Sequence, residues 1–232
     1  MSAIVYLIPT VLHEGQTDCL PQYLLPHIQQ CSAFFVEQER TARRFLKLLW
    51  KEMVIDDYAW HNMQEVTPDV RNSLVQAIKT GKTIGIISEA GCPGVADPGQ
   101  ALVAIAQEMG AVVKPLVGPS SILLALMASG MNGQRFQFVG YLPIDVAQRS
   151  KMIKELEAES RQRGTTQIFI ETPYRNNQLL ETLTKLLAPQ TKICVAVDLT
   201  APTENVQTKT AQQWKAATPK LHKRPAIFLI GV

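Results

Sequence analysis

The segment that decides the fold is "GIISEAGCPGVADPGQALV", residues Gly85 to Val103. It starts as an apolar, β-branched run of the kind that forms a buried strand, and it ends in a helical pattern. The connection between them holds Gly91, Gly94 and Gly99 together with two prolines. It is longer than the about two to six residues that usually join a strand to a helix.

The composition of this loop indicates a ligand site. Its glycines permit a positive φ or a close approach of backbone, and its prolines stiffen the path. Asp97 precedes the start of the helix and suits an N-cap. Open α/β sheets bind ligands at the carboxyl ends of their strands, and the lack of a GxGxxG or Walker pattern excludes the standard dinucleotide and P-loop sites. An ordinary turn with a capping aspartate is the alternative.

Strand-like and helix-like segments alternate along the rest of the chain. Strands are predicted at 3–9, 32–38, 83–88, 111–117, 166–172, 192–199 and 225–231. Helices are predicted at about 41–51, 67–80, 98–109, 119–129, 147–163 and 174–187. Most strand segments are nearly all apolar, as expected for strands covered on both faces. The order therefore predicts an α/β fold.

A second special connection, "LVGPSSILLALMASG" (residues 116–130), divides the chain. It repeats the order of apolar strand, Gly118-Pro119, serines and helix, with Ser120 or Ser121 placed to cap that helix. We therefore predict two α/β lobes, residues 1–116 and 117–232, joined through "VGPSS". A well-capped connecting helix with no ligand role is the alternative for this segment.

Composition limits the class of protein. A chain of 232 residues with 46% hydrophobic and 19% charged residues is typical of a folded globular protein. Its net charge of +3 does not by itself indicate a nucleic-acid binder. No apolar run approaches the roughly 20 residues of a membrane helix, the N-terminus lacks a signal-peptide pattern, and the cysteines lack CxxC pairing. We expect a cytoplasmic protein without a membrane segment or a metal site.

Several motifs taken together resemble a known group of enzymes. "GCPGVADPG" (91–99), "LVGPSSILLALMASG" and "RFQFVGYLP" (135–143) are similar to the tetrapyrrole methylase superfamily of S-adenosylmethionine (SAM) methyltransferases. Within it, the chain most resembles the ribosomal RNA small subunit methyltransferase I family. The resemblance covers nearly the whole chain, since further matches are "YLIPT" (6–10), "VEQER" (36–40), "FIETPYRNNQLLETL" (169–183) and "VAVDLTAPTENV" (195–206).

The resemblance implies two α/β lobes with SAM held in the cleft between them, usually in a homodimer. Carried over by motif, the cofactor-binding residues would be Pro9, Ser88, Gly91, Cys92, Val95, Asp97, Ser120, Ser121, Thr172, Ala196, Leu199 and Pro225. These residues have chiefly to position SAM, because its sulfonium is already an activated methyl donor.

The acceptor side departs from the family pattern. The family methylates a cytidine ribose 2′-hydroxyl in 16S ribosomal RNA, and such a hydroxyl needs a base. Glu37, Glu39 and His61 are the candidates; alternatively, the glutamates pair with Arg40 or Arg43 and His61 is structural. The chain has "PTVLHEG" (9–15) where the family reads PTPIGN, and "VEQER" where it reads AEDTR.

Basic residues offer a test of the RNA prediction. Arg40, Arg44 and Lys47 recur at helical spacing and form one positive stripe, which we expect to contact RNA phosphates. A solvated helix face is the alternative. Two other functions stay open: methylation of a small, tetrapyrrole-like molecule, and SAM binding without catalysis.

Overall fold

The computed structural model describes residues 2–216 and 219–232. The chain divides into two compact units, Met1–Ser120 and Ser121–Val232. Each unit contains one five-stranded sheet with helices packed against it, which confirms the predicted α/β class. None of the helices in these described ranges is long and apolar enough to cross a membrane.

The first unit is built on a parallel sheet. Its strands are β1 (Ile4–Ile8), β2 (Ala33–Val36), β3 (Ala59–Asn62), β4 (Thr83–Ile87) and β5 (Val112–Pro115). Its helices are α1 (Leu24–Ile28), α2 (Glu39–Leu49), α3 (Pro68–Lys79) and α4 (Gly99–Glu108). The strand order is β3-β2-β4-β1-β5, and every pair is parallel. All five carboxyl ends therefore lie along one edge.

Both faces of this sheet are buried, which explains why its central strands are apolar throughout. Val5 and Ile86 belong to a core cluster shared with α3 and α4. Tyr6 and Ile87, one residue further along the same strands, belong to a second cluster shared with α1 and α2. Since neighbouring side chains of a strand point to opposite faces, each face needs its own apolar set.

The second unit has a mixed sheet. Its strands are β6 (Phe136–Tyr141), β7 (Thr166–Ile170), β8 (Lys192–Val197), β9 (Asn205–Thr210) and β10 (Ala226–Gly231). Its helices are α5 (Ser121–Ser129), α6 (Val146–Arg163), α7 (Asn176–Leu186) and α8 (Ala211–Ala216). In the order β6-β7-β10-β8-β9, only β6 and β7 pair in parallel, and the other pairs are antiparallel.

One large core fills the second unit. It joins the inward faces of α6 and α7 to β7, β8 and β10, with Phe169, Phe228 and Trp214 among its largest side chains. Trp214 is 2% exposed, and its indole N–H donates to the Ile193 carbonyl at 2.9 Å. Trp214 therefore packs in the core of the second unit.

Candidate functional site

The special loops predicted from the sequence leave one edge of the first sheet. Because β1, β2, β4 and β5 are parallel, the residues that follow them come together at their carboxyl ends. Pro9 and Thr10 follow β1, Glu37 follows β2, Ser88 follows β4 and the segment 116–120 follows β5. This edge therefore gathers the first-unit residues that the resemblance assigns to cofactor and acceptor.

Asp97 holds the long loop after β4 in shape. Its Oδ1 accepts hydrogen bonds from the backbone N–H of Gly94 at 2.9 Å and of Gly99 at 2.7 Å. We predicted Asp97 as the N-cap of α4, but Pro98 occupies that position and Asp97 lies one residue earlier. The carboxylate nevertheless binds the first N–H of the helix. Asp97 Oδ2 is buried and has no hydrogen-bond partner among the described residues.

Burial raises the pKa of Asp97 above its ordinary value, although the N–H groups of Gly94 and Gly99 and the nearby Ser88 hydroxyl act in the opposite direction. A carboxylate with one buried, unpartnered oxygen can still accept a hydrogen bond or pair with a cation. Such an atom is expected at a ligand site rather than in a turn that serves only the fold.

Gly91 and Cys92 link this loop to the other two. Gly91 has φ +77°, and a Cβ there would lie 3.3 Å from both Leu12 Cδ2 and the Pro119 carbonyl oxygen. The Gly91 carbonyl accepts from Thr10 N at 2.9 Å, and the Cys92 thiol donates to the Pro119 carbonyl at 3.5 Å. Burial raises the pKa of the Cys92 thiol, so the thiol is a neutral hydrogen-bond donor at neutral pH rather than an activated nucleophile.

The loop after β5 packs directly on the loop after β1. A Cβ on Gly118 would lie 2.1 Å from Pro9 Cβ, so only glycine permits this approach. On its other side, Val117 N donates to the Tyr23 hydroxyl at 2.6 Å. No local pattern predicts this role for Tyr23, because the two residues are 94 positions apart. Thr10, Tyr23 and Leu12 thus join the predicted residues in fixing the three loops.

A pocket of about 160 Å³ opens beside these loops, between them and α2. We call it the α2 pocket. It is lined by Thr10, Leu12, Arg44, Phe45, Leu48 and Ser88, with other residues of 11–15, 41–42 and 89–90. Arg44 forms an ion pair with Glu14 at 3.0 Å, and both side chains are exposed. Of the two segments that depart from the family pattern, "PTVLHEG" (9–15) contributes to this pocket, whereas no residue of "VEQER" (36–40) lines it.

Glu37 connects the end of β2 to the loop after β4. Its Oε1 accepts from the backbone N–H of Glu89 at 3.0 Å, and Glu89 in turn accepts from the Thr41 hydroxyl at 2.5 Å. Burial raises the pKa of Glu37, the Glu89 N–H lowers it, and the negative charges of Asp97 and Glu89 raise it further. Glu37 is therefore a carboxylate with increased basicity at the edge where the loops converge.

The other two candidate bases have structural partners. Glu39 is paired with Arg43 at 2.6 Å, and the Arg43 guanidinium lies over the Trp60 ring, 4.9 Å from its centroid. His61 stacks on Phe35, with ring centroids 4.6 Å apart, and burial lowers its pKa. Both residues fit the structural alternative that the sequence left open.

The basic stripe on α2 is only partly available to a ligand. Lys47 Nζ donates to the backbone carbonyls of Lys51 and Met53, which follow the end of the helix. Arg44 is held by Glu14. Arg40 is exposed and forms no ion pair with the residues that the structure describes.

In the second unit, the residues assigned by motif also lie at one edge of the sheet. Thr172 follows β7, Leu199 follows β8 and Pro225 precedes β10. The register pairs Ile227 with both Ile170 and Ala196, so the antiparallel β10 starts where β7 and β8 end. Ala196 itself lies within β8 and is buried.

An ion pair fixes this second edge. Arg224 Nη2 lies 2.7 Å from Asp198 Oδ2, and the Asp198 N–H donates to the Pro225 carbonyl at 3.0 Å. Asp198 and Thr200 have φ values of +50° and +71°. Non-glycine residues in this region are uncommon and cluster at functional sites.

The remaining assigned residues have simpler surroundings. Val95 is 50% exposed, Ser120 is the last residue of the first unit and Ser121 begins α5. Within residues 2–216 and 219–232, no group of three or more histidine, cysteine or acidic side chains is arranged to hold a metal ion.

Comparison with known proteins decides the family. The sequence pattern of the Tetrapyrrole (Corrin/Porphyrin) Methylases matches residues 15–214. The chain belongs to the tetrapyrrole methylase family. The resemblance stated from the motifs is thereby confirmed.

Relatives of this family member with curated names agree with the branch expected from the motifs. The protein named Ribosomal RNA small subunit methyltransferase I in Mesorhizobium japonicum is 37% identical to this chain, and the match covers 70% of this chain and 54% of the relative. The protein of that name in Vibrio cholerae is 30% identical, and the match covers 88% of this chain and 67% of the relative. The protein of that name in Bacillus subtilis is 30% identical over 85% of this chain and 64% of its own. The chain thus spans between about half and two thirds of the length of these relatives.

Solved structures support the fold alone. The methyltransferase CobJ has a TM-score of 0.64 at 18% identity, covering 100% of this chain and 94% of its own. A uroporphyrin-III-C-methyltransferase from Thermus thermophilus has a TM-score of 0.59 at 16% identity, covering 100% and 93%. Both are α/β proteins of the same family fold as this chain.

Proposed function

We propose that this protein is a SAM-dependent methyltransferase that methylates a ribose 2′-hydroxyl of small-subunit ribosomal RNA. The single observation that carries the proposal is the convergence of the three loops after β1, β4 and β5 in a chain of the tetrapyrrole methylase family. The names of its relatives supply the RNA acceptor.

The residues of the first unit fit a SAM site. Asp97 offers a buried oxygen without a partner, which suits the ammonium or a hydroxyl of the cofactor. A side chain at Gly118 would collide with Pro9, and one at Gly91 would crowd Leu12 and Pro119, so the backbone at this edge stays close-packed and its polar groups stay fixed. When bound, SAM supplies a methyl group on a positively charged sulfur; we propose that Asp97, Gly91 and Cys92 of the first unit contact it.

The protein then has to orient the ribose and remove its proton. We propose Glu37 for the second task, because its raised pKa brings a carboxylate closer to the basicity that proton transfer at neutral pH requires. Glu37 Oε2 would accept the proton of the ribose hydroxyl, since Oε1 already accepts from Glu89 N. Glu39 and His61 remain weaker candidates because Arg43 and Phe35 already engage them.

Arg40 and Arg44 are the proposed contacts to RNA phosphate. Arg40 is exposed and unpaired among the described residues, and Arg44, one helical turn later, is held by an exposed ion pair of the kind that contributes little to stability. RNA phosphates can therefore displace Glu14 from Arg44 at a small cost in free energy. Lys47 is a poorer candidate, since it closes the end of α2.

We further propose that the protein works in the cytoplasm as a homodimer. Four free cysteines fit a reducing compartment. Apolar side chains are exposed on the second unit, among them Leu123 at 51% and Met127 at 78%, one turn apart on α5. Such residues are typical of surfaces that pair with another chain, and sedimentation of the purified protein measures the stoichiometry.

The deciding experiment incubates the protein with radiolabelled SAM and, in parallel, with small ribosomal subunits, total RNA and a small-molecule extract. We expect label in ribosomal RNA that alkaline hydrolysis recovers as a resistant dinucleotide, because a 2′-O-methyl group blocks cleavage. Label only in the small-molecule fraction would replace RNA by a small acceptor. SAM binding by calorimetry with no labelled product would indicate a binding protein without catalysis.

Charge reversal separates the RNA surface from the cofactor site. We expect the Arg40→Glu, Arg44→Glu double variant to bind RNA more weakly and to lower the slope of log affinity against log salt by roughly 2, about one for each lost phosphate contact. Lys151→Glu, Lys154→Glu on α6 is the matched control, since both lysines are exposed and lie in the second unit. An unchanged slope in the α2 variant would remove RNA from this helix.

A further inference from the structure

The first turn of α7, in the second unit, has hydrogen-bond donors that the protein does not use. Its N-cap residue, Arg175, provides no side-chain cap. The backbone N–H groups of Asn176, Asn177 and Gln178 have no acceptor among the residues that the structure describes. The helix dipole adds partial positive charge at this end. Such an end attracts anions, but it needs a further group to become a site.

A buried, unpaired guanidinium lies at the same edge of the unit. Arg149, on the inward face of α6, is only 5% exposed, and its Nε is buried without a hydrogen-bond partner. With the part of the chain that the structure describes, its side chain forms neither a hydrogen bond nor an ion pair. A buried cation without a counter-charge is costly. This charge therefore indicates an anionic ligand.

The topology of the second sheet places Arg149 beside the start of α7. β6 pairs with β7 in parallel, and β8 also runs in the direction of β7, since both are antiparallel to β10. The connecting helices α6 and α7 therefore both begin at the edge where β7 ends, and they pack against each other. Arg149 is the fourth residue of α6. Because helical side chains extend toward the N-terminus of their helix, its guanidinium extends toward this edge.

The acidic groups near this edge already have partners. Glu171 Oε1 accepts from Arg175 Nη2 at 2.7 Å, and Asp198 pairs with Arg224 at 2.7 Å. Asp145 caps the start of α6 with its Oδ1. These contacts leave the buried guanidinium of α6 without a neutralising charge.

A fixed loop adds two lysines beside the start of α7. Asn177 accepts from Leu221 N at 3.0 Å and donates to the Pro219 carbonyl at 2.9 Å, which fastens this loop to the helix. Lys220 and Lys223 of the loop are exposed. The helix N–H groups and the guanidinium can act together only on an anion with several acceptor oxygens, and phosphate is such an anion.

We propose that the first turn of α7 and Arg149 form a binding site for a phosphate group. The N–H groups of Asn176, Asn177 and Gln178 donate to its oxygens, and Arg149 neutralises its charge from the side of α6. The site does not depend on methyl transfer. Its phosphate belongs either to an RNA backbone or to a free phosphate compound, and the experiments below separate these sources.

The ³¹P line width of inorganic phosphate, titrated with the full chain at constant ionic strength, measures binding. Arg149→Met keeps a similar side-chain volume without the charge. Arg161→Met is the matched control, because Arg161 is exposed and lies in the last turn of the same helix. We expect the dissociation constant for phosphate to rise at least about tenfold in Arg149→Met and to stay within about twofold in the control. Equal binding by Arg149→Met and the wild type would overturn the proposal.

Stability without phosphate separates a ligand role of Arg149 from a structural one. Loss of a buried, unpaired charge breaks no ion pair, so Arg149→Met should melt at the same temperature as the wild type or higher in phosphate-free buffer. Phosphate at 100 times its dissociation constant should raise the Tm of the wild type by about 5 °C or more, and not that of the variant. A lower Tm of the variant without phosphate would mean that the arginine supports the fold, and it would overturn the proposal.

A second variant places an acid at the start of α7. Gln178 is exposed and is the third residue of the helix, where a glutamate interacts favourably with the free N–H groups. We expect Gln178→Glu to fold normally and to bind phosphate at least about tenfold more weakly. Gln207→Glu on β9 is the control, since it makes the same charge change at another exposed glutamine of this unit. Equal loss in both variants would reduce the effect to general repulsion and overturn the role of α7.

Small-subunit ribosomal RNA identifies the source of the phosphate. If the site binds the RNA backbone, Arg149→Met should bind RNA more weakly, with the slope of log affinity against log salt lowered by about one. Inorganic phosphate should then compete with RNA at constant ionic strength. If the ligand is a free phosphate compound, RNA affinity should be equal in the variant and the wild type while phosphate binding is lost. Both results uphold the site, and neither requires that methyl transfer be detected.

Discussion

Replacing Asp97 tests whether one carboxylate holds the loop after β4. In Asp97→Ala the N–H groups of Gly94 and Gly99 lose their acceptor. Hydrogen bonds to a charged group contribute about 1.5–3 kcal/mol each, so two at the lower end amount to about 3 kcal/mol. Removal of the unpartnered, buried Oδ2 returns on the order of 1 kcal/mol. The loop should therefore open more easily by about 2 kcal/mol, or about 30-fold in its local equilibrium.

Hydrogen exchange detected by mass spectrometry measures this opening in the peptide that spans residues 88–103. Asp97→Asn is the matched variant, since its amide oxygen can still accept both bonds, and we expect exchange less than about fivefold faster than in the wild type. SAM affinity should fall in both variants because both remove the charge. Equal exchange in Asp97→Ala and the wild type, or equal acceleration in both variants, would refute the role of the two bonds.

The same residue predicts a dependence on pH. Burial raises the pKa of Asp97 in the folded protein above its value in the unfolded chain, so the folded state binds the proton more tightly. Proton binding by Asp97 therefore adds its full contribution to the free energy of unfolding at pH values below the unfolded pKa. This contribution is lost as the pH rises through the raised folded pKa. Asp97→Asn should lack this loss, which exchange measured across that pH range reports.

Two further substitutions probe neighbouring contacts. Gly118→Ala places a Cβ 2.1 Å from Pro9 Cβ, and we expect a loss of about 1–3 kcal/mol of stability and much weaker SAM binding. Gly133→Ala is the control, because a Cβ there meets nothing within 4 Å. Equal stability and equal SAM binding of the two variants in calorimetry would contradict the predicted clash. Glu37→Gln should lower kcat by on the order of 100-fold or more with SAM affinity unchanged. In the wild type the methylation rate should fall as the pH drops through the raised pKa of Glu37, because a protonated carboxyl cannot act as the base. If Glu37→Gln showed the same fall in rate at low pH, Glu37 would not be the general base.

The sequence predicted the strands that are buried on both faces. The apolar runs that became β1, β2, β4, β7, β8 and β10 were found because burial on both faces leaves an uninterrupted apolar signal. The sequence analysis did not predict β3, β6 or β9. The sequence of β3 is "AWHN" and that of β9 is "NVQTKT". All three are edge strands with half-exposed or exposed side chains, so tertiary pairing rather than composition makes them strands.

The site was predictable to the extent that it depends on local backbone chemistry. Glycine, proline and aspartate in the loop after β4 pointed to a special conformation, and Asp97 does bind the first N–H of α4. The contact between Val117 and Tyr23 and the meeting of Glu14 with Arg44 join residues far apart in the chain. No pattern within a short window encodes such pairs, and only the folded sheet edge brings them together.

Residues at the carboxyl edge of the first sheet differ in how well they should tolerate substitution. Pro9 packs closely on Gly118, and the Cys92 thiol contacts the loop after β5, so these turns depend on one another. A mutation in any one of these interlocked turns has to be matched in another, so this region should accept new residues slowly in a laboratory selection. Glu14, Arg44 and Leu48 are solvent-accessible and take no part in that interlock. A library confined to those three positions is thus a practical route to retargeted variants that still fold.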